Sequence, residues 1–263
     1  MFWQWVDTKA KYSLDRIGII GGEPLITPEF YEFIDKLLEI YADKEGEKTR
    51  IWIVTNLNST DAQYAKFLEY IPKITKLFTL EVHISMEALG EQAEYIRNGL
   101  DWARFENNVN KLFQSDADIE LAFLPSITAL SIPRFPAFIQ WVYDLSIKYD
   151  KPVMLKQNIV TYPGWQTPFI LPNTFASYLD SAVDFMLEVS HGMPEVSDKF
   201  GTWAAYTSFL INLRTGIQNS QPVDAGIMRQ FALWFDDFDK KRNLNLSKTF
   251  PELESFYLAC KAA

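Results

Sequence analysis

Cysteine is all but missing from this chain. Cys260 is the single one in 263 residues, which excludes a disulfide framework and a thiolate metal cage built from these residues alone. Histidine is nearly as scarce, and His83 and His191 lie too far apart in sequence to form a zinc site by themselves. No apolar run approaches the roughly 18 residues needed to span a bilayer. Residues 1–15 (MFWQWVDTKAKYSLD) show no charged leader ahead of an apolar stretch. These absences point to a cytoplasmic chain with no membrane partner. Positive charge is also short, with 25 Lys and Arg against 34 Asp and Glu and a net charge of −9. No basic face offers itself to a nucleic acid, which argues against such a partner.

Apolar and aromatic residues, by contrast, are plentiful. Aromatics make up 15% of the chain, enough to predict large packed interfaces or a roomy aromatic-lined cavity. The first 161 residues alternate β-rich runs with helical patterns. Strands are expected at 15–20 (DRIGII), 50–55 (RIWIVT), 78–85 (FTLEVHIS), 119–124 (IELAFL) and 152–160 (PVMLKQNIV). Helices are expected at 28–42, 60–71, as a broken pair across 91–114, and at 133–149. In the first of these, Phe30, Phe33, Ile34, Leu37, Leu38 and Tyr41 follow helical spacing behind Thr27 and Pro28. Such alternation predicts parallel βαβ units and an α/β fold. A Pro- and Gly-rich connector at 162–173 then leads into helices near 174–190, 202–216, 223–241 and 251–262. The division expected from this pattern is 1–161 for the α/β part and 162–263 for a helical C-terminal region.

Ligand sites of parallel sheets and barrels lie at the carboxyl ends of strands. Here those ends are polar or small: Gly21-Gly22-Glu23-Pro24, Thr55-Asn56, Ser85-Met86-Glu87, Pro125-Ser126, and Lys156-Gln157-Asn158. Residue parity within 78–85 puts Glu81, His83 and Ser85 on one face and Leu80, Val82 and Ile84 on the other. Parity within 152–160 pairs Lys156 with Asn158. The polar faces are expected to meet in a lumen, either as a buried ion-pair network or as an acid–base site using Glu81, His83 and Lys156.

The strongest local signal is Ile17-Gly-Ile-Ile-Gly-Gly-Glu-Pro24, a strand running into GGEP. It is neither a dinucleotide fingerprint nor a phosphate-binding P-loop. Paired glycines permit close backbone approach, and strand-end carbonyls beside a carboxylate suit a ligand ammonium group. The segment resembles the GGEP motif of radical S-adenosylmethionine enzymes. Three further stretches are similar to that family: Thr55-Asn56; His83-Ile-Ser-Met-Glu87, like its S-[IL]-[DE] pattern; and Arg97, Gly99, Trp102, Phe105 and Asn108, like its R-x-G…W…F…N continuation. Phe250-Pro-Glu-Leu253 resembles a C-terminal signature of a SPASM/twitch-type branch.

The resemblance implies an incomplete (β/α)6 barrel supplying strands two to six, with a helical C-terminal extension. It implies S-adenosyl-L-methionine as cofactor, with Gly21, Gly22, Glu23 and Pro24 at the methionine ammonium. Ser85 and Glu87 would lie near the ribose, and Arg97 would meet the methionine carboxylate unless it forms an ion pair with Glu94 or Asp101. Thr55, Asn56 and Asn158 would line the same mouth. It further implies a [4Fe-4S] cluster, a reductant for it, and hydrogen abstraction from a substrate of peptide or protein type. The chain departs from the family in one respect, the absence of CxxxCxxC. On this reading the chain begins within or after the first βα unit, the strand at 15–20 lacks a neighbour, and Phe2, Trp3, Trp5 and Val6 offer partial cover. The alternative reading is a cluster-less protein that binds a peptide or partner.

Overall fold

The computed structural model describes residues 1–189 and 203–263. His191 lies outside the described residues, as do parts of the helices expected at 174–190 and 202–216. In chain order the main elements begin with β1 (Arg16–Ile19), α1 (Pro28–Ile40), β2 (Arg50–Thr55), α2 (Asp61–Leu77) and β3 (Thr79–Ile84). There follow α3 (Gly90–Ile96), α4 (Trp102–Phe113), β4 (Ile119–Phe123), α5 (Phe135–Tyr149) and β5 (Val153–Leu155). The C-terminal helices are α6 (Asp180–Val189), α7 (Trp203–Gln218), α8 (Ala225–Arg242) and α9 (Glu254–Ala262). The class is α/β. No helix among the described residues is long and apolar enough to cross a membrane.

The chain packs as two compact units, Met1–Ser85 with Ala103–Phe123, and Met86–Trp102 with Leu124–Ala263. The boundary at residue 161 marks where strands give way to helices in sequence, which is a different property from where packing divides.

Unit 1 carries a parallel sheet whose strands pair in chain order, β1 with β2, β2 with β3 and β3 with β4. Its register puts Ile51, Ile53, Leu80, Val82, Ile84, Leu121 and Phe123 on one face, all buried. Helix α2 packs on β3 and presents Tyr64, Phe67, Ile71 and Ile74 at helical spacing. Sequence spacing ended that helix at residue 71, yet it runs six residues further, through Pro72. The apolar stripe continues to Ile74, and that burial offsets the hydrogen bond proline removes. Thr60 and Gln63 form a capping box at its start.

The opposite face of the sheet is polar. Glu81, fully buried, meets Arg16 at 3.2 Å and Arg50 at 3.4 Å, and also His83; Arg50 reaches on to Glu120. Parity placed Glu81 and His83 together on this face, with a buried ion-pair network as one of its two readings; Arg16 and Arg50 are partners it did not name. Two cations and an imidazole around one carboxylate offset the cost of taking it out of water. The Trp52 ring lies 5.4 Å from His83 and spreads across Gly18, where an added Cβ would fall 2.5 Å from the indole.

Residues 2–13 form three short helical turns. Of the four apolar side chains expected to give cover, Val6 is buried and Trp3 packs on Phe33 of α1 at 5.2 Å, while Phe2 and Trp5 stay exposed. The strand expected at 152–160 ends at Leu155. The polar run Lys-Gln-Asn leaves the strand, so the alternation drawn through Lys156 and Asn158 does not hold. Lys156 is buried with its Nζ 3.6 Å from Met154 Sδ. Asn158 is exposed, and its neighbour Ile159 pairs with Ile127 in an isolated parallel bridge.

Replacing Gly18 with alanine tests the sheet packing. The change improves strand preference by about 0.5–1 kcal/mol, but forces Trp52 off its seat at a cost of about 1–3 kcal/mol. We expect net destabilisation in urea unfolding and an altered tryptophan emission; a variant as stable as the parent would contradict this placement of the indole.

Candidate functional site

The GGEP loop leaves β1 with Gly21 at φ +99° and Gly22 at φ +58°, a backbone that side chains resist. Both glycines are exposed, and an added Cβ at either would meet nothing within 4 Å. Among the described residues, no hydrogen bond engages the backbone of either one. Main-chain groups therefore stand open at the carboxyl end of a parallel strand.

Glu23 fastens this loop. Its Oε1 accepts from Thr55 Oγ1 at 2.6 Å and from the Leu25 amide at 3.3 Å, and its Oε2 accepts from the Asn56 amide at 2.7 Å. The Glu23 carbonyl also accepts from Thr27 Oγ1 at 2.8 Å. Burial pushes the Glu23 carboxyl above its usual range, against the lowering effect of the Asn56, Thr55 and Leu25 donors. The carboxylate thus positions the loop and is spent on protein donors. Pro24 opens the short 3-10 turn that follows and is buried with Leu25.

The β2 exit is held just as tightly. Thr55 Oγ1 accepts from the Leu57 amide at 3.0 Å while donating to Glu23, and Asn56 Oδ1 accepts from the Asn58 amide at 2.8 Å. The Ser85 amide donates to the Thr55 carbonyl at 2.9 Å. Asn108, fully buried on α4, donates through Nδ2 to the carbonyls of Leu57 and Ser59 at 2.9 and 3.0 Å. Leu57 sits at φ +50°, a strained turn this amide secures. Asn108 therefore has a structural role in the loop, and Phe105 beside it is a core residue at 0% exposure. Seven of the sequence-predicted residues, Gly21 to Pro24 with Thr55, Asn56 and Ser85, are joined in unit 1 by these bonds and by chain continuity.

The other three, Glu87, Arg97 and Asn158, belong to unit 2, where they line up in one polar chain. Arg97 Nη2 donates to Glu87 Oε2, which also accepts from the Ser126 amide at 3.1 Å; Asn158 Nδ2 donates to Ser126 Oγ at 3.3 Å. Arg97 pairs with Glu87 rather than with Glu94 or Asp101. Glu94 instead accepts from the Trp102 amide at 2.8 Å. Glu87 and Arg97 form one wall of a cavity of about 350 Å³. The lining also includes an aromatic stripe on α8, Phe231, Trp234, Phe235 and Phe238, at the i, i+3, i+4, i+7 spacing of one helix face. Tyr95 adjoins it, 5.1 Å from Phe238 and donating to Asp239 Oδ1 at 2.7 Å. Phe250 of the FPEL segment meets Tyr95 edge-on at 5.2 Å, and Glu252 pairs with Arg134 at 2.7 Å. The stripe was legible as a pattern on a C-terminal helix; its meeting with Glu87 was not.

The residues fit the two implied cofactors differently. The open double glycine of unit 1 fits an ammonium group. A [4Fe-4S] cluster does not fit these residues, because three thiolates are needed. Cys260 is alone and buried, and burial pushes its thiol up to about 12. No group of three or more His, Cys, Asp or Glu suited to a metal ion occurs among the described residues.

Glu23 carries a pH signature. Its carboxyl binds a proton more tightly in the folded chain than at the ordinary value of 4.5, so just above that value the native state holds more protons than the unfolded one. Its contribution therefore favours folding at low pH and is lost as pH rises through the raised value. Glu23→Gln should remove that slope in pH-resolved chemical denaturation. It should also cost about 1–3 kcal/mol at neutral pH, because an amide NH2 would oppose a donor at Thr55 or Asn56. An unchanged pH slope would contradict the carboxyl's role.

Comparison with known proteins adds nothing further: no family model, no curated protein and no solved structure matches this chain.

Proposed function

We propose that this chain is the core of a radical S-adenosylmethionine-type enzyme, an incomplete (β/α)6 barrel with a helical C-terminal extension. In this reading unit 1 holds S-adenosyl-L-methionine at the carboxyl ends of β1 and β2. The observation that carries it is the Gly21-Gly22 backbone, left-handed, exposed and unbonded, mounted on a carboxylate already satisfied by Thr55 and Asn56. Carbonyls in that state can accept from an ammonium, and they incur little reorganisation because Glu23 fixes the loop beforehand. Thr55 and Asn56 act by positioning the loop, and Ser85 by joining the next strand end to it.

S-adenosylmethionine, reduced by an iron–sulfur cluster, supplies the chemistry of hydrogen abstraction in enzymes of this kind. A cluster would need thiolates that these 263 residues do not contain, so no redox step is assigned to them. What they do is bind, orient and exclude water. Glu87, Arg97 and Asn158, which the resemblance would add, are engaged with one another or with Ser126, and the proposal gives them no cofactor atom. The same shortage of thiolates favours a second reading, a protein that keeps the fold and binds a peptide or partner without a cluster.

Calorimetric titration with S-adenosylmethionine tests the proposal. Saturable binding is expected, and 5′-methylthioadenosine, which lacks the ammonium and the carboxylate, should bind at least tenfold more weakly. Gly22→Val, strained at φ +58°, should also weaken S-adenosylmethionine tenfold or more. Equal binding of the two ligands, or none of either, would overturn the proposal and leave the cluster-less reading.

A further inference from the structure

Unit 2 holds a cavity to which the proposed cofactor reading assigns no atom. Its aromatic flank ends in Trp234, 48% exposed yet seated 4.8 Å from the buried Trp165 ring. A half-exposed indole backed by a second indole and opening on a cavity is a rigid stacking platform. At about 350 Å³ the space suits a one- or two-ring molecule rather than a peptide segment.

The polar flank sets the charge and the hydrogen-bond sense of the ligand. The Glu87 side chain is 1% exposed and binds Arg97 and the Ser126 amide through the same oxygen, Oε2. Among the described residues no donor reaches its Oε1. On a residue that lines the cavity, this oxygen is an acceptor left for a ligand donor. Arg97 already balances the charge of Glu87, so the wall attracts a neutral donor more than a cation. Ser126 and Thr128 add hydroxyls to the same flank.

We propose that this cavity binds an uncharged planar aromatic ring bearing an N–H or O–H donor on its edge. The ring stacks on Trp234 and Phe235, and the donor bonds Glu87 Oε1. The proposal does not rest on S-adenosylmethionine binding in unit 1, and its test separates the two.

The probe is 5-fluoroindole, followed by fluorine NMR with the full chain. Saturable binding is expected in the micromolar to millimolar range. 1-Methyl-5-fluoroindole, which lacks the donor, should bind at least fivefold more weakly. Glu87→Gln must keep its oxygen toward Arg97 and Ser126, which turns its NH2 toward the ligand. That variant should therefore weaken 5-fluoroindole at least fivefold and leave the methylated probe within twofold. Trp234→Ala, at a half-exposed position that folding tolerates, should weaken both probes. Saturating S-adenosylmethionine should displace neither. Equal affinity for the two probes, no effect of Trp234→Ala, tighter binding of cationic 5-fluorotryptamine, or displacement by S-adenosylmethionine would each overturn the proposal.

Discussion

One buried carboxylate organises the upper rim of unit 1. Glu23 sits where β1 runs out, and its two oxygens take three donors, two of them from the residues that end β2. Left unpaired there, the charge would cost several kcal/mol; paired, it locks two neighbouring strand exits together. The consequence falls on the residues just before it. Because Glu23 carries the fastening, Gly21 and Gly22 are free to hold an unusual backbone with their polar groups outward. The glycines provide the opening, and the glutamate keeps it in shape.

The same division of labour appears along β2 and β3. Thr55 relays between Glu23 and Leu57, and Asn108 reaches from α4 to fix the turn that Leu57 strains. On the sheet below, Glu81 spreads its charge over Arg16, Arg50 and His83. Unit 1 thus keeps its buried charges paired, at the rim as across the face. Unit 2 departs from that habit among its described residues: Arg97 Nε and Glu252 Oε2 are buried without a hydrogen-bond partner, and no donor reaches Glu87 Oε1.

How far the sequence foretold this depends on whether a feature is local. Strand alternation in 50–55 and 78–85 and the helical spacing of 28–42 act through neighbours two to four residues away, and these strands and α1 emerged within a residue or two. Overruns came where a longer-range partner decided. The helix expected at 60–71 runs on through Pro72, because the buried stripe through Ile74 carries α2 past it. Lys156 to Asn158 were read as strand, but the segment bends to bridge Ile127, 32 residues back. The GGEP motif foretold an opening because glycine conformation is a property of the residue itself. Its fastening to Asn56 is an amide contact with no side-chain signature, so no pattern could show it. Arg97 illustrates the same limit: nearby Glu94 and Asp101 competed on paper, while folding delivered Glu87.

The central claim is that the Gly21–Gly22 backbone meets the cofactor. The most direct measurement is a 15N-labelled amide spectrum recorded while S-adenosylmethionine is added. The account predicts saturable shifts concentrated at Gly21, Gly22, Glu23 and Asn56, with the amides of Trp234 and Phe235 unmoved. Shifts centred on α8 with the glycines silent would contradict it.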